Sequence, residues 1–179
     1  MSVLWITGLS GAGKTTLAHR IAMRLRAKGI PVILLDGDVL REIFGIGIEQ
    51  RHDRNSRLSL AFQYAHLCRI LTQQGVTVVI ATISLFQEIH AWNRANLPDY
   101  FEVYLKVPID ELRRRDPKGI YRRFDAGELI NVAGLDLDID EPELSNLVVE
   151  FQPNKSIEVV EEELLSIWEA EKINESKQF

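Results

Sequence analysis

The feature that most constrains this chain is a glycine-rich segment close to its start. Residues 8–15 read GLSGAGKT and satisfy the pattern G-x-x-x-x-G-K-[ST]. Residues 3–7 before it are apolar enough for a buried strand, and residues 16–25 after it carry apolar side chains at helical spacing. A strand, this loop and a helix in that order predict a phosphate-binding loop.

The chemistry expected of such a loop assigns a role to each of its parts. Its backbone N–H groups would point at the β-phosphate of a nucleotide, and the positive end of the following helix would add to the attraction. Lys14 would reach the β- and γ-phosphate oxygens, and the Thr15 hydroxyl would bind Mg²⁺. The residues expected to bind the nucleotide are Gly8, Ser10, Gly11, Ala12, Gly13, Lys14, Thr15 and Thr16.

Beyond the loop, apolar strands and amphipathic helices alternate along the chain. Strands are predicted at residues 3–7, 32–35, 76–81, 101–107 and 147–149, and helices at 14–28, 55–74, 85–96, 109–115 and 156–172, with a short helix beginning near Val39. Residues 116–142, with few apolar anchors, are expected to form a loop. The pattern predicts an α/β fold of the P-loop NTPase type, with a five-stranded parallel sheet covered by helices on both faces.

Composition indicates one soluble domain of 179 residues with no membrane segment, and we expect it in the cytoplasm. The formal net charge of −5 argues against nucleic acid as a partner. Basic residues are nevertheless concentrated, since residues 41–57 hold four and residues 106–123 hold seven of the 21. Such a distribution suits a compact anionic substrate. The single cysteine, Cys68, is interpreted as a core residue.

Two carboxylates follow the second predicted strand, where ligands gather in a parallel sheet. The third and fourth strands end without the acidic residue that binds magnesium in motor ATPases and GTPases, and no N-K-x-D guanine-reading element is present. Asp36 or Asp38 would therefore accept a proton from an attacking hydroxyl or orient a magnesium-bound water. The alternative is that either acid caps the next helix. The pattern favours a kinase acting on a small hydroxyl substrate, with Asp38, Asp36 and Lys14 as catalytic residues and Thr15 and Asp38 as magnesium ligands.

Three separated segments resemble the adenylyl-sulfate kinase family, namely residues 5–18 (WITGLSGAGKTTLA), 35–41 (LDGDVLR) and 115–121 (RDPKGIY). The resemblance implies ATP-dependent phosphate transfer to the 3′-hydroxyl of a nucleotide, with Mg²⁺ and usually a homodimer. It also implies that Asp38 or Asp36 is the base and that Arg41 binds the acceptor. Arg115 and Lys118 would lie beside ATP in a mobile lid at about residues 116–142.

Departures from the family pattern fall on the acceptor side. The family segment D-R-x-x-N-x-R-R, placed by counting back from Gly75, retains only Arg57, whereas another register would retain Arg51 as well. After the third strand Ile83 and Ser84 match, but the proline and arginine of I-S-P-x-R do not. The residues expected to bind the acceptor are Arg41, Arg57, Ile83, Ser84 and Val132.

The last of these residues bears on the acceptor's identity. Val132 stands where the family's phenylalanine would stack on adenine, and Ile130 replaces a lysine. Adenylyl sulfate is the family substrate, but a divergent branch, the cytidine diphosphoramidate kinases of capsule biosynthesis, would need less stacking surface and fewer arginines. His52 and His90 are further candidate acceptor contacts. A regulatory module that binds ATP without turnover is a third hypothesis, against which the intact acidic pair, Arg41 and the lid motif argue.

Overall fold

The computed structural model describes residues 1–44 and 53–176. Arg51 and His52 lie outside these ranges. The strands in the described part are β1 Val3–Gly8, β2 Val32–Asp36, β3 Thr77–Ala81, β4 Tyr100–Lys106 and β5 Leu147–Glu150. The helices are α1 Lys14–Ala27, α2 Gly37–Ile43, α3 Arg54–Gln73, α4 Gln87–Asn96, α5 Ile109–Arg115, α6 Ile120–Asp125 and α7 Ile157–Ser176.

The five strands form one parallel sheet in the order β2-β3-β1-β4-β5, which confirms the predicted fold class. All six residues of the central strand β1 are buried. Asp36 at the end of β2 pairs with Ala81 at the end of β3, which in turn pairs with Ile6 of β1. The loop after β1, the acids after β2 and the residues after β3 therefore leave the sheet at the same edge.

Successive side chains of a strand point to opposite faces of the sheet. Both faces of this sheet are apolar, and helices cover both of them. One apolar cluster joins Leu4 and Ile6 of β1 to α1 and α7, and the other joins Val3 and Trp5 to α3 and α4. Cys68 lies fully buried in the second cluster, as expected of a core residue, and burial raises the pKa of its thiol. None of the described helices is both long enough and apolar enough to cross a membrane.

The prediction of a loop over residues 116–142 was wrong in part, because this segment contains α6. The Asp116 carboxylate accepts the backbone N–H groups of Tyr121 and Arg122 at 3.2 and 3.0 Å, which satisfies the first turn of the helix. Tyr121 is only 1% exposed, and Val132 and Ala133 are each 7% exposed. The segment is thus anchored to the core at several points.

The second difference concerns the start of α2, at Gly37 rather than near Val39. The Asp36 carboxylate accepts the backbone N–H of Asp38 at 2.8 Å, so Asp36 is the N-cap of this helix. The capping role considered for Asp36 is therefore real. It also holds Asp38 in the first turn of α2, at the edge where β1 and β3 end.

Candidate active site

The loop after β1 approaches the neighbouring strand so closely that it requires glycine. A Cβ atom at Gly8 would lie 2.7 Å from the backbone oxygen of Leu105, and the φ angle of Gly8 is +147°. Gly13, the N-cap of α1, has a φ angle of 99° and makes no side-chain capping hydrogen bond. The positive end of α1 is therefore not neutralised by a capping side chain, which suits an anion.

A cavity of about 500 Å³, called the main cavity below, lies over this loop. Its walls come from the loop, the ends of β2 and β3, the start of α2, and residues 115–133. The expected site residues that line it are Ser10, Gly11, Gly13, Lys14, Thr15, Thr16, Asp36, Asp38, Arg41, Arg57, Ile83, Arg115, Lys118 and Val132. Gly8 and Ala12 do not line it, and Ser84 lines a smaller neighbouring pocket.

The two acids after β2 have different partners. Asp36 accepts a hydrogen bond from the Thr15 hydroxyl at 2.7 Å, in addition to capping α2. Asp38 instead forms ion pairs with Arg41 and Lys118. Partial burial by itself would raise the pKa of Asp38, but the hydrogen bond and charge of Lys118, with the charge of Arg41, hold that pKa below its ordinary value. Asp38 is therefore an ionised carboxylate at neutral pH that faces cations.

Lys14 is held in place from within its own loop, where its Nζ donates to the backbone oxygen of Leu9 at 2.8 Å. Burial, followed by the charge of Lys118, lowers the pKa of Lys14 to about 7. A polyphosphate in the main cavity would supply negative charge beside this ammonium group and favour its charged form. Lys14 is thus placed to respond to a bound nucleotide.

Two basic residues of the expected lid contact the rest of the site, one at the phosphate-binding loop and the other at Asp38. Arg115 donates to Glu111 at 2.7 Å, approaches the backbone oxygen of Gly11 at 3.5 Å, and lies 4.9 Å from the ring centre of Phe151. Lys118, which also lines the main cavity, pairs with Asp38. Segment 115–118 therefore closes one side of the cavity in this structure.

The oxygen groups after β1 and β2 can be compared with the ligands that Mg²⁺ prefers. Mg²⁺ is usually held by one or two carboxylates, a hydroxyl and the substrate's own phosphates, and it keeps several waters. Thr15, Asp36 and Asp38 supply a hydroxyl and two carboxylates on one side of the main cavity. Among the described residues there is no group of three or more His, Cys, Asp or Glu that could hold a metal ion by itself. The arrangement fits a magnesium ion that arrives with a nucleotide.

A pocket of about 50 Å³, called the side pocket below, adjoins the main cavity and shares Arg41, Arg57 and Ile83 with it. Arg57 donates to the backbone oxygen of Asn131 at 2.7 Å, and burial, followed by the charge of Arg41, lowers its pKa. The hydroxyl of Ser84 lies 2.8 Å from that of Thr82. Two arginines therefore lie where the main cavity meets the side pocket.

Three contacts around the site were not predicted from the sequence. The Tyr64 hydroxyl donates to the backbone oxygen of Gly37 at 3.1 Å, and that of Tyr121 donates to Ser10 at 2.9 Å. Arg54 donates to both carboxylate oxygens of Glu88, at 2.9 and 3.0 Å, and to Asp140 at 2.7 Å. Tyr121 alone belongs to a recognised motif, since it ends the RDPKGIY segment. The partners of all three residues are distant in sequence.

His90 lines neither the main cavity nor the side pocket. Its Nδ1 lies 2.6 Å from Glu102, which also accepts hydrogen bonds from Tyr100 at 2.7 Å and Arg94 at 3.2 Å. Burial by itself would raise the pKa of Glu102, but the hydrogen bonds and charges of His90, with Tyr100 and Arg94, hold it below the ordinary 4.5. This buried cluster ties α4 to β4.

Replacing Glu102 with glutamine is expected to lower the free energy of unfolding at pH 7 by about 1–3 kcal/mol, because His90, Tyr100 and Arg94 lose a charged hydrogen-bond partner. Since the pKa of Glu102 is lowered on folding, its contribution is present above pH 4.5 and is lost as pH falls below that value. Urea denaturation at pH 7 and pH 4 measures both effects. The exposed Glu143→Gln variant is the control, and equal stability of the two variants at pH 7 would contradict the expectation.

A phosphate-binding loop, an ionised acid in the same cavity and two arginines where that cavity meets the side pocket are together typical of a P-loop nucleotide kinase. Residues 1–150 match the adenylylsulphate kinase family, so the chain belongs to that family. It is a phosphotransferase, and its kinase relatives imply that it uses ATP.

Curated relatives carry two different activities. The cytidine diphosphoramidate kinase of Campylobacter jejuni is 38% identical over 156 residues, covering 87% of this chain and 89% of that protein. The adenylyl-sulfate kinase of a Picosynechococcus species is 39% identical over 141 residues, covering 78% and 77%. Among solved structures, the Mycobacterium tuberculosis APS kinase CysC in complex with AMPPNP and APS matches with a TM-score of 0.83 at 31% identity, over 94% of this chain and 97% of that one.

Proposed function

We propose that this kinase transfers the γ-phosphate of ATP to the 3′-hydroxyl of a small nucleotide. The observation that carries the proposal is the main cavity, which brings Lys14 and the phosphate-binding loop together with Arg41 and Arg57. Such a cavity suits two anionic nucleotides whose reacting groups meet between them. Asp38 lines the same cavity and pairs with Arg41.

In the proposed reaction, the acceptor oxygen attacks the γ-phosphorus, its proton passes to Asp38, and the bond from that phosphorus to the ADP oxygen breaks. The low pKa of Asp38 keeps it able to accept a proton or to orient the hydroxyl at neutral pH. Asp36, occupied by the helix cap and by Thr15, fits a supporting role. Bound Mg²⁺ would neutralise charge on the phosphate oxygens, with Thr15 and Asp38 as the residues that hold it directly or through water.

The lid is also proposed for this chain. Arg115 and Lys118 would contact the phosphates of ATP, and Lys118 would have to leave Asp38 for that acid to meet the acceptor. Closing residues 116–142 would exclude water and protect the γ-phosphate from hydrolysis. We further propose a single kinase domain that acts in the cytoplasm as a homodimer, as the family resemblance implies.

Adenylyl sulfate, the family substrate, is the first candidate acceptor. The APS ligand of the M. tuberculosis structure supports it. The second candidate is cytidine diphosphoramidate, which is favoured by the Campylobacter relative and by two features of the site. Val132 offers an aliphatic side chain where an aromatic ring would stack, and the side pocket, at about 50 Å³, is small beside the main cavity. Stacking on an aromatic ring stabilises a base by about 1–3 kcal/mol, so its loss at Val132 disfavours an adenine held in the main cavity, whereas the small side pocket suits a pyrimidine.

Incubation of the purified protein with ATP, Mg²⁺ and either candidate acceptor tests the proposal. Formation of ADP and of the 3′-phosphorylated nucleotide, followed by mass spectrometry, is the expected result with one of them. Selective turnover of adenylyl sulfate would eliminate the cytidine alternative. ATP binding without transfer to either acceptor would instead favour a regulatory module.

A further inference from the structure

The side pocket combines apolar walls with a few polar side chains. Its apolar lining comes from α3, from residues 85–86 and from residues 137–139, and consists of Leu60, Leu85, Phe86, Leu137 and Ile139. Arg41 and Arg57 line both this pocket and the main cavity. These shared arginines would let a nucleotide keep its phosphates in the main cavity and place its base at the side pocket.

One carboxylate of this pocket, unlike its two acidic neighbours in sequence, has no bonding partner among the described residues. Asp136 accepts the backbone N–H groups of Asn131 and Val132 at 2.7 and 2.6 Å, and Asp140 accepts from Arg54 at 2.7 Å and Gln87 at 3.0 Å. Asp138, between them, lines the side pocket and is exposed. Within the described ranges its carboxylate makes no hydrogen bond or ion pair.

The backbone around Asp138 is nevertheless fixed on both sides. The N–H of Gly134 donates to the oxygen of Leu137 at 2.9 Å, and the N–H of Asp140 donates to the oxygen of Leu85 at 3.0 Å. The Arg54 contact with Asp140 fastens the same segment to α3. The main chain at Asp138 is thus held in place, and none of the described residues bonds its exposed carboxylate.

We propose that Asp138 determines base specificity by accepting a hydrogen bond from an exocyclic amino group, as found on cytosine and adenine. This inference rests on the proposed function, because it assumes a nucleotide acceptor with its base at the side pocket. A carboxylate only accepts hydrogen bonds, so an amino group is attracted, whereas the oxygen at the same position of uracil or hypoxanthine is repelled. The side pocket then selects amino bases over their oxo counterparts.

Binding measurements on the full chain saturated with ADP test the proposal directly. The probes are cytidine and uridine 5′-monophosphate as one pair and adenosine and inosine 5′-monophosphate as the other, titrated calorimetrically. We expect the amino member of at least one pair to bind about tenfold more tightly, the lower end of the effect of a hydrogen bond to a charged group, since Asp138 is exposed. The pair with the tighter amino member identifies the base.

The variant Asp138→Asn is expected to bring that ratio close to one, because an amide can donate to an oxo group as well as accept from an amino group. Asp110→Asn, an exposed acid on α5 that lines neither pocket, should keep the wild-type ratio. Equal affinities within both pairs, an unchanged ratio in Asp138→Asn, or no measurable binding of any probe would overturn the inference. The expected ratios without phosphate transfer to any acceptor would support base selection and overturn the proposed kinase reaction instead.

Discussion

Replacing Asp38 with asparagine is expected to lower kcat for phosphate transfer by about 10²–10⁴-fold, the usual contribution of a general base. Asparagine has nearly the same shape and can still accept from Arg41, but it cannot take the proton of the attacking hydroxyl. The affinity for ATP should change little, because the phosphate-binding loop and Lys14 remain intact. Turnover is measured by ADP release with the accepted nucleotide, and ATP affinity by calorimetry.

Asp36→Asn is the matched control for this experiment. Asparagine is as good an N-cap as aspartate, so α2 should remain stable, and with its oxygen capping α2 its amide N–H can donate to the Thr15 hydroxyl in place of the present hydrogen bond. A much smaller loss of kcat is expected than in Asp38→Asn. If Asp36→Asn abolished transfer and Asp38→Asn did not, the two acids would exchange roles. Unchanged transfer in both variants would remove a carboxylate base from the mechanism.

The sheet and the phosphate-binding loop could be predicted because their signals are local. Strands that are buried on both sides are continuous apolar runs, and the glycines, Lys14 and Thr15 of the loop stand in consecutive positions after one of them. The end of each parallel strand then indicates where ligand-binding side chains belong. Asp36 and Asp38 were found at the cavity by this rule alone.

The interior of segment 116–142 was less predictable, because its order depends on distant partners. Tyr121 reaches Ser10, 111 positions away, and Arg57 reaches Asn131, 74 positions away. No period or composition within the segment carries that information. Val132 illustrates the same limit, since the sequence gives its identity but not that it lines the main cavity rather than the side pocket.

Replacing Lys14 with alanine is expected to weaken ATP binding and turnover together, with kcat/KM lowered by about 10²–10³-fold, the usual cost of removing one charged donor to the reacting group. In the structure the partly buried Lys14 donates to the Leu9 oxygen, and burial with the nearby charge of Lys118 lowers its pKa to about 7. Binding of the triphosphate places negative charge beside Lys14 and favours its charged form. Part of the effect should therefore appear in the dissociation constant of ATP, unlike the effect of Asp38→Asn.

The control for this variant is Lys28→Ala, at the other end of α1, where the lysine is paired with Glu169 and exposed. It should leave both the ATP dissociation constant and kcat near the wild-type values, since its ammonium group lines neither pocket. Calorimetric titration with ATP and steady-state kinetics on the same preparations separate binding from chemistry. If Lys14→Ala bound ATP as tightly as Lys28→Ala and turned over as fast, the phosphates of ATP would bind elsewhere. The proposed transfer of phosphate from this loop to an acceptor beside Asp38 and the two arginines would then be wrong.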